Sequence, residues 1–145
     1  MEAGDEAARQ ALQIKIAELR ELEACERGLA IAYRRRAWSR RKLGRLDARQ
    51  IERIALRHFE HAALLHGRVT VLGGQASGDA DEAWVSGSDA AALQRAETHS
   101  LAVYHDHLTD LDEPSAHLIE LFILPDHEEA RAALGDEPEP PSAPR

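Results

Sequence analysis

Two glutamates stand at positions where the helical pattern of this sequence predicts apolar residues. Glu26 interrupts an apolar stripe of the first predicted helix, and Glu97 interrupts that of the third. Each is followed, seven residues later, by a tyrosine on the same face: Tyr33 and Tyr104. A buried carboxylate is costly unless it is paired or binds an ion. Because a glutamate on an apolar helix face occurs twice, the sequence predicts a two-fold site built from two pairs of helices.

Two histidines share the apolar face of the second predicted helix. His58 and His61 continue a stripe that begins at Ile51 and ends at Leu72. Imidazoles together with carboxylates are ligands for iron, zinc, copper or nickel. The same histidines could instead donate to Glu26 or to a tyrosine in a buried network that holds no metal. The sequence leaves both interpretations open.

The fourth predicted helix offers three further ligands, Asp126, His127 and Glu129. They follow Pro125, and a proline inside a helix removes a backbone hydrogen bond and kinks the chain. The sequence therefore leaves open which of the three faces the interior.

The second helices of the two halves also share a short motif. Phe59-Glu-His-Ala62 aligns with His127-Glu-Glu-Ala130, much as the two Glu-x6-Tyr stretches align with each other. The alignment favours two similar helix pairs.

Four amphipathic segments must position these residues. The predicted helices run from about Asp5 to Lys42, from Asp47 to Leu72, from Ser88 or Asp89 to Leu111, and from Asp112 to Leu134. The long connection 75–88 is typical of a crossover. The sequence predicts an all-α, antiparallel four-helix bundle over 5–134, with two helical hairpins joined by that crossover. The proline-rich acidic tail, 135–145, is predicted to be disordered.

Composition argues against several classes of function. The net charge of −8 disfavours binding to nucleic acid or to an anionic membrane. No apolar run has the length of about 18 residues that a membrane span requires. The only cysteine, Cys25, excludes an internal disulfide. We therefore expect a soluble, cytoplasmic protein.

A basic run from Arg34 to Arg45 is the one candidate patch for nucleic acid or an acidic partner, with Trp38 as a stacking aromatic. Cations are also favourable at the carbonyl end of a helix. We favour this second interpretation, because the rest of the acidic chain would repel a phosphate backbone.

Over about residues 10–134, the chain resembles the ferritin-like superfamily, closest to small bacterial four-helix domains near rubrerythrin and bacterioferritin. The resemblance rests on the four helices, the long crossover and the repeated Glu-x6-Tyr. In that family the second and fourth helices each carry Glu-x-x-His, and four carboxylates with two histidines hold two irons. This chain has His58-Phe-Glu-His61 and Asp126-His-Glu-Glu129 instead.

The resemblance implies a metal centre, with iron or another divalent metal as the cofactor. Its implied ligands are Glu26, His58, His61, Glu97, and Asp126, His127 or Glu129. Tyr33 and Tyr104 would hydrogen-bond to these ligands or supply electrons. An iron-dependent oxidoreductase would oxidise ferrous iron or reduce dioxygen or peroxide. The alternative function is a metal-free bundle that acts as a dimerisation or interaction module, and in either case we expect a homo-oligomer.

Overall fold

The structure is a computed structural model that describes residues 2–75, 80 and 87–135. Within these residues the chain is helical and forms no strand. The helices are α1 (Glu2–Trp38), α2 (Ala48–Val71), α3 (Ala90–Leu108), α4 (Glu113–Leu118) and α5 (Leu124–Gly135), with a π-helical segment (Ile119–Ile123) between the last two. The last three follow one another without a break and are called the fourth helix here. The prediction of four helices in an all-α bundle is confirmed for the described residues. Most of the predicted crossover and the tail beyond Gly135 lie outside them.

Helix α1 ends at Trp38, earlier than predicted. Arg40 adopts a left-handed backbone conformation, with φ of 57°. Leu43 and Leu46 then exchange backbone hydrogen bonds of 3.0 and 2.9 Å. Leu43 is buried against the second half of α1. Because Leu43 leaves the helix to reach the core, the turn comes before the end of the basic run, and Gly44 lies within the turn.

Aspartate caps fix the starts of α2, α3 and the fourth helix. Asp47 Oδ1 accepts the backbone N–H of Gln50 at 2.9 Å, and the Gln50 side chain accepts the Asp47 N–H at 2.9 Å. This confirms the predicted capping box. Asp89 accepts the N–H of Ala92 at 2.7 Å, so Asp89 rather than Ser88 caps α3.

A third cap lies at the start of the fourth helix. Asp112 Oδ2 accepts the N–H of Ser115 at 3.2 Å and pairs with Arg68 Nη2 at 2.9 Å. We expect Asp112→Ala to lower the free energy of unfolding by about 1 kcal/mol, because the helix loses its cap. Asp112→Asn retains a capping oxygen and should cost less. Urea denaturation of both variants measures the difference, and equal losses would contradict the capping role.

The core consists of two apolar clusters separated along the helices. One contains Ile16, Leu19, Leu22, Leu65, Val69, Leu101, Tyr104, Leu111, Ile119, Ile123 and Leu124. The other contains Leu29, Tyr33, Ala37, Leu43, Ile51, Ala55, Leu93, Ala96 and Leu134. α1 packs mainly on α2, and α3 on α5. Each of the four helices changes from one cluster to the other near its middle, and the polar residues lie at that level.

Candidate metal centre

The π-helical segment brings His127 into the interior. The backbone N–H of Leu124 donates to the carbonyl of Ile119, five residues earlier. Ile119, Ile123 and His127 are all buried at four-residue spacing. In an ideal α-helix, with 3.6 residues per turn, side chains four residues apart drift around the helix and away from one face. The wider π turn corrects this drift, so the three side chains stay on the inner face. The π turn immediately precedes Pro125, which has no N–H to donate.

Five side chains meet in a polar layer between the two apolar clusters. α1 supplies Glu26, α2 supplies His58 and His61, α3 supplies Glu97, and the fourth helix supplies His127. Each is no more than 2% exposed. All five were candidate ligands in the sequence, and the structure brings them together.

Two glutamates and two histidines of this layer form a closed ring. His58 Nδ1 lies 2.7 Å from Glu26 Oε2, and its Nε2 lies 2.7 Å from Glu97 Oε1. His127 Nδ1 lies 2.6 Å from Glu97 Oε2, and its Nε2 lies 2.5 Å from Glu26 Oε1. Each histidine therefore bridges both glutamates, and each glutamate contacts both histidines.

The tyrosines complete the ring by crossing between the halves. The Tyr33 hydroxyl donates to Glu97 Oε1 at 2.7 Å, and the Tyr104 hydroxyl donates to Glu26 Oε1 at 2.6 Å. Each Glu-x6-Tyr stretch thus supplies the accepting carboxylate of one of these two hydrogen bonds and the donating hydroxyl of the other. Burial and the nearby glutamates raise the pKa of both tyrosines well above its ordinary value, so both stay protonated as donors.

The approximate two-fold relation pairs His58 with His127. The sequence motif had placed His127 opposite Phe59, one residue away from the pairing that the structure shows. A motif of four residues does not fix register when a π turn shifts one of the helices. In the structural pairing, Ala130 occupies the position that corresponds to His61.

His61 is therefore the asymmetric member of the layer. Its Nδ1 lies 3.3 Å from Glu26 Oε2, and its Nε2 lies 2.7 Å from Asp126 Oδ2. The Asp126 side chain is 31% exposed. Asp126 therefore contacts the layer from its edge, whereas His127 lies inside it.

Glu129 lies outside the layer. Its side chain is 69% exposed and pairs with Arg57 Nη1 at 3.0 Å. The same Arg57 nitrogen lies 3.4 Å from Asp126 Oδ1. Arg57 was not among the residues predicted from the sequence, although a signal was present: it precedes His61 by one helical turn and so lies beside the histidine stripe.

The ring strongly shifts the pKa values of its histidines. Burial lowers the pKa of His58, but the charges of Glu97 and Glu26 outweigh burial and raise it to about 9. Burial acts in the same direction on His127, and Glu26 and Glu97 raise its pKa to about 10. Both imidazoles are therefore protonated at neutral pH when no metal is bound, and both of their nitrogens donate.

The glutamates shift in the opposite direction. Burial raises the pKa of Glu97, but His58 and His127 outweigh it and lower the pKa to about 2. Burial likewise raises the pKa of Glu26, while His127 and His58 hold it well below its usual range. Two carboxylates thus face two imidazolium groups, and the metal-free ring is electrically neutral.

Four of these side chains form a group that could hold a metal ion. One ligand atom from each of Glu26, His58, His61 and His127 lies within 4.8 Å of the other three. Four ligand atoms placed tetrahedrally at about 2.0–2.2 Å from an ion lie about 3.3–3.6 Å apart, so the side chains would draw closer around an ion. Three imidazoles and a carboxylate form a donor set that binds divalent transition metals. A metal would take the place of the protons on the imidazole nitrogens.

The basic run contributes to the end of α1 rather than to the polar layer. The guanidinium of Arg34 lies 4.5 Å from the ring centre of Phe59 and 6.0 Å from that of Trp38. Arg36 donates to the backbone carbonyl of Lys42 at 2.5 Å. Arg34 therefore packs against α2, and Arg36 is bonded to the turn that follows α1.

Comparisons with known proteins found no match to a protein-family model, to a curated protein or to a solved structure. A search of the described helices found none that is long and apolar enough to cross a membrane.

Proposed function

We propose that this chain is a divalent metal-binding protein whose centre is formed by Glu26, His58, His61 and His127. The observation that carries the proposal is the convergence of one carboxylate and three imidazoles, from three helices, on one buried point. His58 and His127 each contact two buried carboxylates, and burying such ion pairs costs more than burying apolar side chains of similar volume.

We further propose that the bundle is antiparallel and ferritin-like. Short turns join α1 to α2 and α3 to the fourth helix, and the members of each pair pack together. The crossed bonds from Tyr33 to Glu97 and from Tyr104 to Glu26 support the relation between the pairs. Cys25, the only cysteine of the sequence, is buried, and a cytoplasmic location stays part of the proposal.

The ligand set favours a nitrogen-rich centre over one with bridging carboxylates. His58 and His127 occupy the positions between the two glutamates. Zinc, iron, copper and nickel accept such ligands, and iron would supply redox chemistry toward dioxygen or peroxide. In that chemistry Glu26 would balance the charge of the ion. Tyr104 would donate a hydrogen bond to Oε1 of Glu26, and the two apolar clusters would exclude bulk water.

Metal analysis tests the proposal. Protein purified without chelator should contain about one transition-metal ion per chain, and chelated protein should bind Co²⁺ with visible absorption typical of histidine ligation.

We expect His61→Ala to weaken cobalt binding by about a hundredfold or more, because it removes one of four ligands. His117→Ala changes an exposed histidine outside the layer and should bind as the wild type does. A wild-type protein that binds neither cobalt, zinc nor ferrous iron would refute the function.

A metal-free interaction module is the second candidate, and the closed ring favours it. The ring satisfies its own hydrogen bonds and balances its own charge. Leu121 and Phe122, 68% and 60% exposed on the fourth helix, offer an apolar face for a second copy. This candidate predicts that chelation leaves the thermal unfolding temperature unchanged and that Leu121→Glu converts an oligomer to a monomer in light scattering.

A further inference from the structure

A cavity of about 190 Å³ lies between α2 and α5 and reaches the polar layer from one side. His58 and His61 form part of its wall, and so do Ala130 and Ala133. Arg57, Asp126 and Glu129 line it as well, and all three are partly or largely exposed. The cavity thus connects exposed charged groups with two of the buried candidate ligands.

The cavity lies on the side where the two-fold relation fails. Ala130 occupies the position that corresponds to His61, and the small side chain leaves open space beside that histidine. A second imidazole there would fill this space. The loss of symmetry therefore gives the layer one open side, and the charged groups are found on that side.

The charged groups form a chain from the surface to the layer. Arg57 Nη1 lies 3.0 Å from Glu129 Oε2 and 3.4 Å from Asp126 Oδ1. The other Asp126 oxygen lies 2.7 Å from His61 Nε2. Exposure falls along this path, from 69% for the side chain of Glu129 to 31% for Asp126 and 2% for His61.

We propose that this cavity is the port through which a hydrated divalent cation reaches the centre. The carboxylates of Glu129 and then Asp126 bind the entering cation in turn, and the guanidinium of Arg57 controls its passage. This inference rests on the proposed metal-binding function. A hydrated cation loses water stepwise, and carboxylate oxygens replace that water along the path. Arg57 repels the cation while it pairs with both acids, and its 46% exposure gives it room to turn outward.

The test is the rate of Co²⁺ uptake by chelated protein, followed by stopped-flow visible absorption. Glu129→Gln removes the outer carboxylate, and Ala133→Leu narrows the cavity. We expect each to slow uptake by about threefold to tenfold, since local charge and access govern the association rate. Neither residue belongs to the four-donor group, so the equilibrium dissociation constant should stay unchanged. Arg57→Gln removes the like charge and should speed uptake.

Neighbouring residues supply matched controls. Glu128→Gln changes an exposed carboxylate on the same helix that does not line the cavity, and Ala132→Leu enlarges an exposed alanine that does not line it either. Both should take up cobalt at the wild-type rate. Glu129→Gln, as an exposed substitution, keeps the test valid if Ala133→Leu fails to fold. If the wild type binds cobalt but both Glu129→Gln and Ala133→Leu take it up at the wild-type rate, the port is refuted and the proposed metal-binding function is not. If the wild type binds no cobalt, the proposed function is refuted and the port with it.

Discussion

Replacing Glu26 with alanine should lower the free energy of unfolding of the metal-free protein by about 3–5 kcal/mol and abolish metal binding. The carboxylate accepts hydrogen bonds from the side chains of His58, His127 and Tyr104, and His61 Nδ1 lies 3.3 Å from it. Without it, two buried imidazolium groups share one remaining carboxylate, and breaking a buried charge pair on one side carries a penalty of about this size. Urea denaturation in the presence of chelator at neutral pH measures the loss.

Two further variants distinguish the loss of the Glu26 contacts from the general effect of replacing a glutamate with alanine. Glu21→Ala changes an exposed glutamate on the same helix and should alter stability by less than about 0.5 kcal/mol. Glu97→Ala also breaks the ring and should be comparably destabilising. Its oxygens lie outside the four-donor group, so it should retain more metal affinity than Glu26→Ala. A loss below about 1 kcal/mol for Glu26→Ala would show that Glu26 is not part of a buried ionic network.

Periodicity was sufficient to place the ring residues of the first three helices. A stripe of buried side chains repeats every three or four residues, so Glu26, His58 and Glu97 could be assigned to the interior before any contact was known. The duplicated Glu-x6-Tyr pattern likewise predicted a two-fold site. The structure adds that each tyrosine bonds to the glutamate of the other half.

The fourth helix could not be predicted in the same way. Its buried series depends on a π turn before Pro125, and such a turn changes the facing of every residue that follows. His127, Asp126 and Glu129 were therefore equal candidates in the sequence. The early end of α1 was missed for a related reason, because the burial of Leu43 is a tertiary contact that overrides a favourable helical pattern.

The stability of the metal-free protein should fall as pH rises from neutral to alkaline values. The pKa values of His58 and His127, about 9 and about 10 in the folded chain, lie above the ordinary 6.5. Their contribution is complete below pH 6.5 and is lost as pH rises through 9 and 10. The pKa of Glu97, about 2, lies below the ordinary 4.5, so its contribution is complete above pH 4.5 and is lost toward pH 2. The ring therefore stabilises most between pH 4.5 and 6.5.

Urea denaturation in chelator at about pH 5.5, 7.5 and 9.5 tests this dependence, because stability should fall between the ordinary pKa of 6.5 and the folded values of about 9 and about 10. The free energy of unfolding should be highest at the first value and lowest at the last. His127→Ala removes one titrating imidazole, so the free energy of unfolding should fall less with pH than in the wild type. His117→Ala changes an exposed histidine and should leave the pH dependence unchanged. Bound metal replaces the protons of the ring, so zinc-loaded protein should lose less stability over the same range. A metal-free wild type that is equally stable at pH 5.5 and 9.5 would contradict the imidazolium–carboxylate ring, since protonated histidines are what hold the two buried carboxylates together.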